Sequence, residues 1–139
     1  MRSYWDTSAA VNAAISPEVF RRLDTGEHVA RLHLLAEFFA TMTGRGVEIT
    51  DEAGNAERMV FTQNECAAWL KNFGQRATFE ELTKEEALAA LEKAQLAGVQ
   101  GARVYDYWHA LVADKSKADE LITRNTRHFQ GLTKNLAWP

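Results

Sequence analysis

The chain reads as an α/β domain: a three-layer sandwich with a mainly parallel central sheet flanked by helices. Three observations predict this. Short apolar or aromatic runs alternate with helical patterns along the whole length, as parallel strands joined by crossover helices require. Helix-start chemistry follows directly on several strand-like runs. The 139 residues, 46% hydrophobic and 25% charged, also match one globular domain of roughly 100–200 residues. A single domain over 1–139 is therefore expected, with 45–61 as a surface hairpin insertion.

The first strand is Arg2-Ser3-Tyr4-Trp5, and Asp6-Thr7-Ser8 behind it can cap a helix starting near Ala9. Pro17 suits the first turn of a short helix over 17–23, which Asp24-Thr25-Gly26 ends with turn chemistry. A strand over 28–32 comes next. Leu34, Leu35, Phe38, Phe39 and Met42 then recur at helical spacing, and Thr43-Gly44 supplies a stop. Residues 47–50 and 58–61, separated by Gly54-Asn55, form the hairpin. Thr62…Glu65 and Thr83…Glu86 are capping boxes that open helices over 63–73 and 84–97, the second closed by Gly98. Residues 77–82 make a strand between them. Over 103–115 a further helix carries Val104, Trp108, Leu111 and Val112 on one stripe, with Asp106 on a flank beside Ala110 and Ala113. Residues 120–123 form the last strand, and 124–129 are a polar stretch.

Composition excludes several classes. One cysteine, Cys66, forms neither an internal disulfide nor a Cys-pair metal site, which suits a reducing cytoplasm. Within its amphipathic helix it reads as a packed thiol rather than a nucleophile. The N-terminal residues lack the apolar core of a signal peptide, and no apolar run approaches the ~18 residues that span a bilayer, so a soluble, non-membrane protein is expected. The net charge of −3 hides an asymmetry. Residues 1–98 hold 10 Lys and Arg against 15 Asp and Glu, whereas 99–139 hold 6 against 4. A polyanion would meet the C-terminal third first.

In a parallel α/β sheet, sites gather at the carboxyl ends of the strands, where Asp6 and Asn125 both fall. Glu37 and Asp106 lie in helices beside apolar stripes, with small neighbours that allow close packing. A carboxylate in a tight place is costly unless it is paired or metal-bound, so the acids Asp6, Glu37 and Asp106 suggest a hard cation such as Mg²⁺ or Mn²⁺. Three carboxylates outweigh one divalent charge but not two. One ion is therefore expected, with a second requiring substrate phosphate. Each acid, taken alone, also suits a helix cap or solvent. Arg103, Arg124, Arg127 and His128 suit either phosphate contact or surface solubility. Tyr105, Tyr107 and Trp108 suit base stacking, core or dimer contacts. His33, one turn before Glu37, can line the site or serve as a hydrogen-bonded structural histidine.

DTSAAVNA at 6–13, LLAEFFATMTG at 34–44 and RVYDYWHALVADKSKADELITRNTRHF at 103–129, with their spacing, resemble the PIN domain, especially the VapC-like ribonuclease toxins. The resemblance covers nearly the whole chain, and 45–61 contribute least. It implies a parallel α/β sandwich whose acids bind Mg²⁺ or Mn²⁺ for RNA phosphodiester cleavage. Asp6, Glu37 and Asp106 match the first three acids, and Thr7 and Ser8 match the hydroxyl residues that position the first. Asn125 stands where many members carry a fourth acid, and His128 where many carry Asp. Asp119, close in sequence, precedes the strand and suits a turn cap. The resemblance further implies a homodimer and a cognate VapB-like antitoxin whose tail reaches the acidic pocket. The neutral Asn125 keeps open an alternative, a catalytically weak RNA- or protein-binding module, and a DNA-directed nuclease is a third possibility.

Overall fold

The computed structural model describes residues 1–133 and 135–138. Lys134, counted in the basic C-terminal balance, lies outside them. Elements follow in the order β1 (Arg2–Trp5), α1 (Thr7–Ile15), α2 (Pro17–Phe20), β2 (Glu27–Arg31), α3 (His33–Thr43), β3 (Val47–Thr50) and β4 (Ala56–Met59). Then come α4 (Gln63–Arg76), β5 (Thr78–Glu80), α5 (Lys84–Glu92), α6 (Arg103–Lys115), β6 (Glu120–Ile122), α7 (Thr126–Phe129) and β7 (Leu136–Ala137).

Five strands form the central sheet in the order β5-β2-β1-β6-β7, and every pairing in it is parallel. The expected three-layer α/β architecture is therefore present. Register explains its two cores. Tyr4 pairs with Val29 and Leu121, and these three side chains pack with Ala110, Val112 and Ala113 of α6. Trp5 pairs with Ala30 and Ile122, which face the opposite layer of α1, α3 and α4 with Ala9, Leu34, Phe38 and Phe73. Successive strand residues point to opposite faces, so a sheet covered on both sides buries adjacent residues into different layers. An aromatic stack of Phe38, Trp69 and Phe73 fills the second core, with centroid separations of 4.6 and 5.6 Å.

Several boundaries move for physical reasons. Helix α1 begins at Thr7, because Asp6 itself is the N-cap. The helix expected over 17–23 is split into α2 and a 3-10 turn over Arg21–Asp24. Both capping boxes form, but α5 stops at Glu92 rather than near 97, and its C-cap is Lys93, not Gly98. Tyr107 donates its hydroxyl proton to the Ala90 carbonyl at 3.0 Å, and Val99 turns back to pack on Ala90 and Tyr107. Leu96, 92% exposed, offers no apolar anchor for another turn. In the hairpin β4 starts at Ala56, two residues early. Phe61 leaves the ribbon to pack on the α3–α4 core, its N–H donating to the Met42 carbonyl at 2.7 Å. Gly46 permits the tight entry, with φ +68° and the Met59 carbonyl where a Cβ would sit. Helix α6 buries Tyr107, His109, Ala110, Val112 and Ala113, so the core side joins Val112 of the expected stripe to the small residues of the flank beside Asp106, while Val104, Trp108 and Leu111 are only partly buried. The polar stretch 124–129 contains α7, and the edge strand β7 had no clear sequence signal. No helix among the described residues is long and apolar enough to cross a membrane.

Phe73→Ala should cost about 3–5 kcal/mol, since the ring is fully buried against Trp69, Trp5 and Phe79. Leu96→Ala should stay within about 0.5 kcal/mol. Urea melts of both variants test the contrast.

Candidate functional site

The carboxyl end of β1 delivers Asp6, which is only 5% exposed. Its oxygens are almost fully engaged. Oδ1 accepts from the Ser8 hydroxyl at 2.7 Å and the Ala9 N–H at 2.9 Å, and Oδ2 accepts from the Thr123 hydroxyl at 2.6 Å. A helix N-terminus leaves N–H groups without intrahelical partners, so an acid there doubles as cap and site. Burial nevertheless pushes the Asp6 carboxyl up from its ordinary range, against the pull of Thr123, Ala9, Ser8 and nearby His109.

Thr7, next along α1, donates its hydroxyl to Glu37 Oε1 at 3.0 Å. Glu37 stands half-buried on α3, and His109 of α6 brings Nε2 to 3.8 Å from the same oxygen. His33, on the solvent side, lies 3.9 Å from it. The His109 ring beside Glu37 is the main reason that its carboxyl sits below the usual carboxylate range, with Thr7 and His33 acting in the same direction. Asp106 lies one turn before His109 on α6. Partial burial pushes its carboxyl up, opposed by the charges of His128, His109 and Arg103, with no protein hydrogen bond among the causes. His109 is thus the group common to all three acids: it adjoins Glu37 and lies near Asp6 and Asp106.

On the other side of Asp6, the Thr123 hydroxyl also accepts the Asn125 backbone N–H at 2.9 Å, and Ser8 accepts the Arg124 N–H at 3.0 Å. This brings Asn125 to the same end of the sheet. Its exposed side chain does not cap α7. Arg124 is braced on the Asn12 side-chain oxygen at 3.1 Å, while Arg103 reaches over to the carbonyls of Gln130 and His128. Arg127 and His128 face solvent on α7. Asp119 is at the opposite end of the sheet, accepting the Arg2 N–H at 2.7 Å, and has no place in the cluster. Cys66 is buried, and burial pushes its thiol up, as suits a packing residue. Tyr107 is core, whereas Tyr105 is exposed.

His109, Thr123 and Tyr4 belong to this constellation and were not singled out from the sequence. His109 carried a signal, since a residue three positions after Asp106 shares its helix face. Tyr4 and Thr123 carried none. Their roles come from strand register, which sets them against α6 and Asp6.

No protein-family model matches the chain, and no curated protein does. Among the described residues, no group of three or more His, Cys, Asp or Glu is drawn together closely enough to hold a metal ion. The donors nevertheless have the chemistry of a hard-cation site. Among the described residues, no donor reaches the Asp106 carboxylate, and the contacts of Glu37 fall on Oε1. Oxygen-only donors of this kind suit Mg²⁺ or Mn²⁺.

Asp6 also yields a stability prediction. A folded-state pKa raised above the ordinary 3.8 gives stability that is present at low pH and lost as pH rises through the folded value. Asp6→Asn, which mimics the protonated acid, should be more stable than wild type at pH 7, and the advantage should shrink toward pH 4. Urea melts at both pH values check this. A variant less stable at pH 7 would mean that the three hydrogen bonds outweigh burial.

Proposed function

We propose that this chain is a metal-dependent endoribonuclease of the PIN class, VapC-like, and the toxin half of a toxin–antitoxin pair acting in the cytoplasm. The observation that carries the proposal is that Asp6 behind β1, Glu37 on α3 and Asp106 on α6 each lie near His109 at one end of a parallel sheet, although the described residues form no closed group of three ligands. Structural acids rarely converge in this way, because like charges brought together raise each other's pKa. Clustering is therefore expected where a cation or a reaction uses it.

Asp106, Glu37 and Asp6 would hold Mg²⁺ or Mn²⁺, with the Asn125 amide oxygen as a neutral donor. When bound, the ion supplies a more acidic water and a counter-charge for phosphate. The chain's own groups do the remaining work. Ser8, Ala9 and Thr123 fix Asp6 in one orientation. Thr7 does the same for Glu37. Arg124, Arg127 and His128 form the cationic rim that would receive the RNA backbone, with Arg103 beside Asp106. Homodimer and antitoxin contacts belong to the same proposal. Exposed Leu91 and Tyr105 near His33 give apolar surface for a protein partner.

One observation favours the second reading, a binding module of weak or no catalysis. Asn125 contributes no charge where a fourth acid is expected, and no three of the described His, Cys, Asp or Glu residues come close enough to hold a metal ion.

Single-stranded RNA should be cut in Mn²⁺ or Mg²⁺ and spared in EDTA. Asp106→Asn should lose at least about 100-fold in rate while keeping its fold, because the interaction removed acts in the transition state. RNA binding that persists unchanged in EDTA, with no cleavage by wild type, would sink the nuclease and favour the module. A matched DNA strand, cut equally well, would replace RNA selectivity with general nuclease action. Arg127→Ala should weaken RNA binding and reduce the salt slope by about 0.7, as loss of one phosphate contact requires.

A further inference from the structure

Glu37 presents an asymmetry that its neighbours explain. Three groups from three helices address one carboxylate oxygen, Oε1: Thr7 at 3.0 Å, His109 at 3.8 Å and His33 at 3.9 Å. No described protein donor takes Oε2. The inner partner, His109, is 6% exposed and could be replaced in volume by an aliphatic side chain, since the rings of Tyr4 and Phe129 pack on it. A buried imidazole is therefore there for its nitrogens.

Those nitrogens are not equivalent. Nδ1 lies 2.6 Å from the Tyr4 hydroxyl, and Nε2 faces Glu37. Tyr4 is completely buried, and a phenol carries its proton at neutral pH, so it is an O–H donor. The Tyr4 hydroxyl has one described hydrogen-bond partner, Nδ1. It therefore donates there, which leaves the neutral ring proton on Nε2, directed at Glu37. Edge contacts of the ring with Tyr4 and Phe129, at 5.8 and 6.4 Å, restrict its rotation.

We infer that Tyr4 and His109 are positioning residues: the Tyr4 hydroxyl fixes the His109 tautomer, and Nε2–H steers Glu37 Oε1, leaving Oε2 to face a divalent cation. The cation-binding part rests on the nuclease proposal; the tautomer and the steering of Glu37 do not. Partners of this kind, acting behind a ligand, are worth roughly 10–100-fold in metal affinity.

Long-range ¹H–¹⁵N NMR on the full-length protein, labelled at histidine, reads the tautomer directly. Wild type should show His109 protonated at Nε2, and Tyr4→Phe should give a mixture. Mn²⁺ titration followed by electron paramagnetic resonance should then show binding about 10–100-fold weaker in Tyr4→Phe and His109→Leu. His109→Gln, which keeps an N–H near the Nε2 position, should recover most of the affinity. That rescue separates positioning from a loss of packing, and Tyr4→Phe keeps the test open if His109→Leu fails to fold. An Nδ1–H tautomer in wild type overturns the inference, as does wild-type Mn²⁺ affinity in both Tyr4→Phe and His109→Leu. A wild type that shows the Nε2–H form but neither binds Mn²⁺ nor cuts RNA overturns the nuclease proposal instead, and supports a Tyr4–His109 pair that only orders Glu37.

Discussion

A carboxylate buried at the end of a central strand must find donors for its oxygens, and much of this molecule's local order follows from how Asp6 finds them. Its oxygens draw on the start of α1 through Ser8 and Ala9 and on the end of β6 through Thr123. The residue therefore joins the first strand, the first helix and a strand more than a hundred residues later. An unpaired buried carboxylate would be expensive enough to neutralise itself. The satisfied one fixes where α1 begins, where β6 ends and how Asn125 and Arg124 leave the sheet.

Strand alternation then distributes roles. Because Tyr4 and Trp5 point to opposite faces, one supports α6 and the other the aromatic layer against α4. Small residues on α6 let that helix approach the sheet closely, and the close approach seats His109 beside Tyr4. Asp106, a turn earlier, is carried to the sheet's rim rather than into its core. Packing and the polar cluster are thus one arrangement: the alanines at 110 and 113 that fill the first core also set the depth of the histidine next to the acids.

Much of this was legible along the chain. Asp6 as cap, both capping boxes, the hairpin, Cys66 as packing and the alternation of strands with helices all rest on chemistry within a few residues, and each appears in the structure. The misread features depend on distant partners. Helix α5 stops early because Tyr107, from another helix, takes a carbonyl at its end. Phe61 leaves the hairpin for a core built by α3 and α4. Helix α6 turns Ala110 and Ala113 inward with Val112, because Tyr4, Val29 and Leu121 of the sheet lie against that side. The strand over 136–137 exists because β6 offers an open edge.

By itself the sequence determined the fold class and the order of elements from β1 to β6, since periodicity, caps and residue type are local properties. Tertiary structure decided which groups meet. Only strand register sets Tyr4 against His109, and only the meeting of β1 with β6 gives Asp6 the Thr123 hydroxyl. Hydrogen bonds and charges act over a few ångströms, and residues 4 and 109 become neighbours only after the chain has folded.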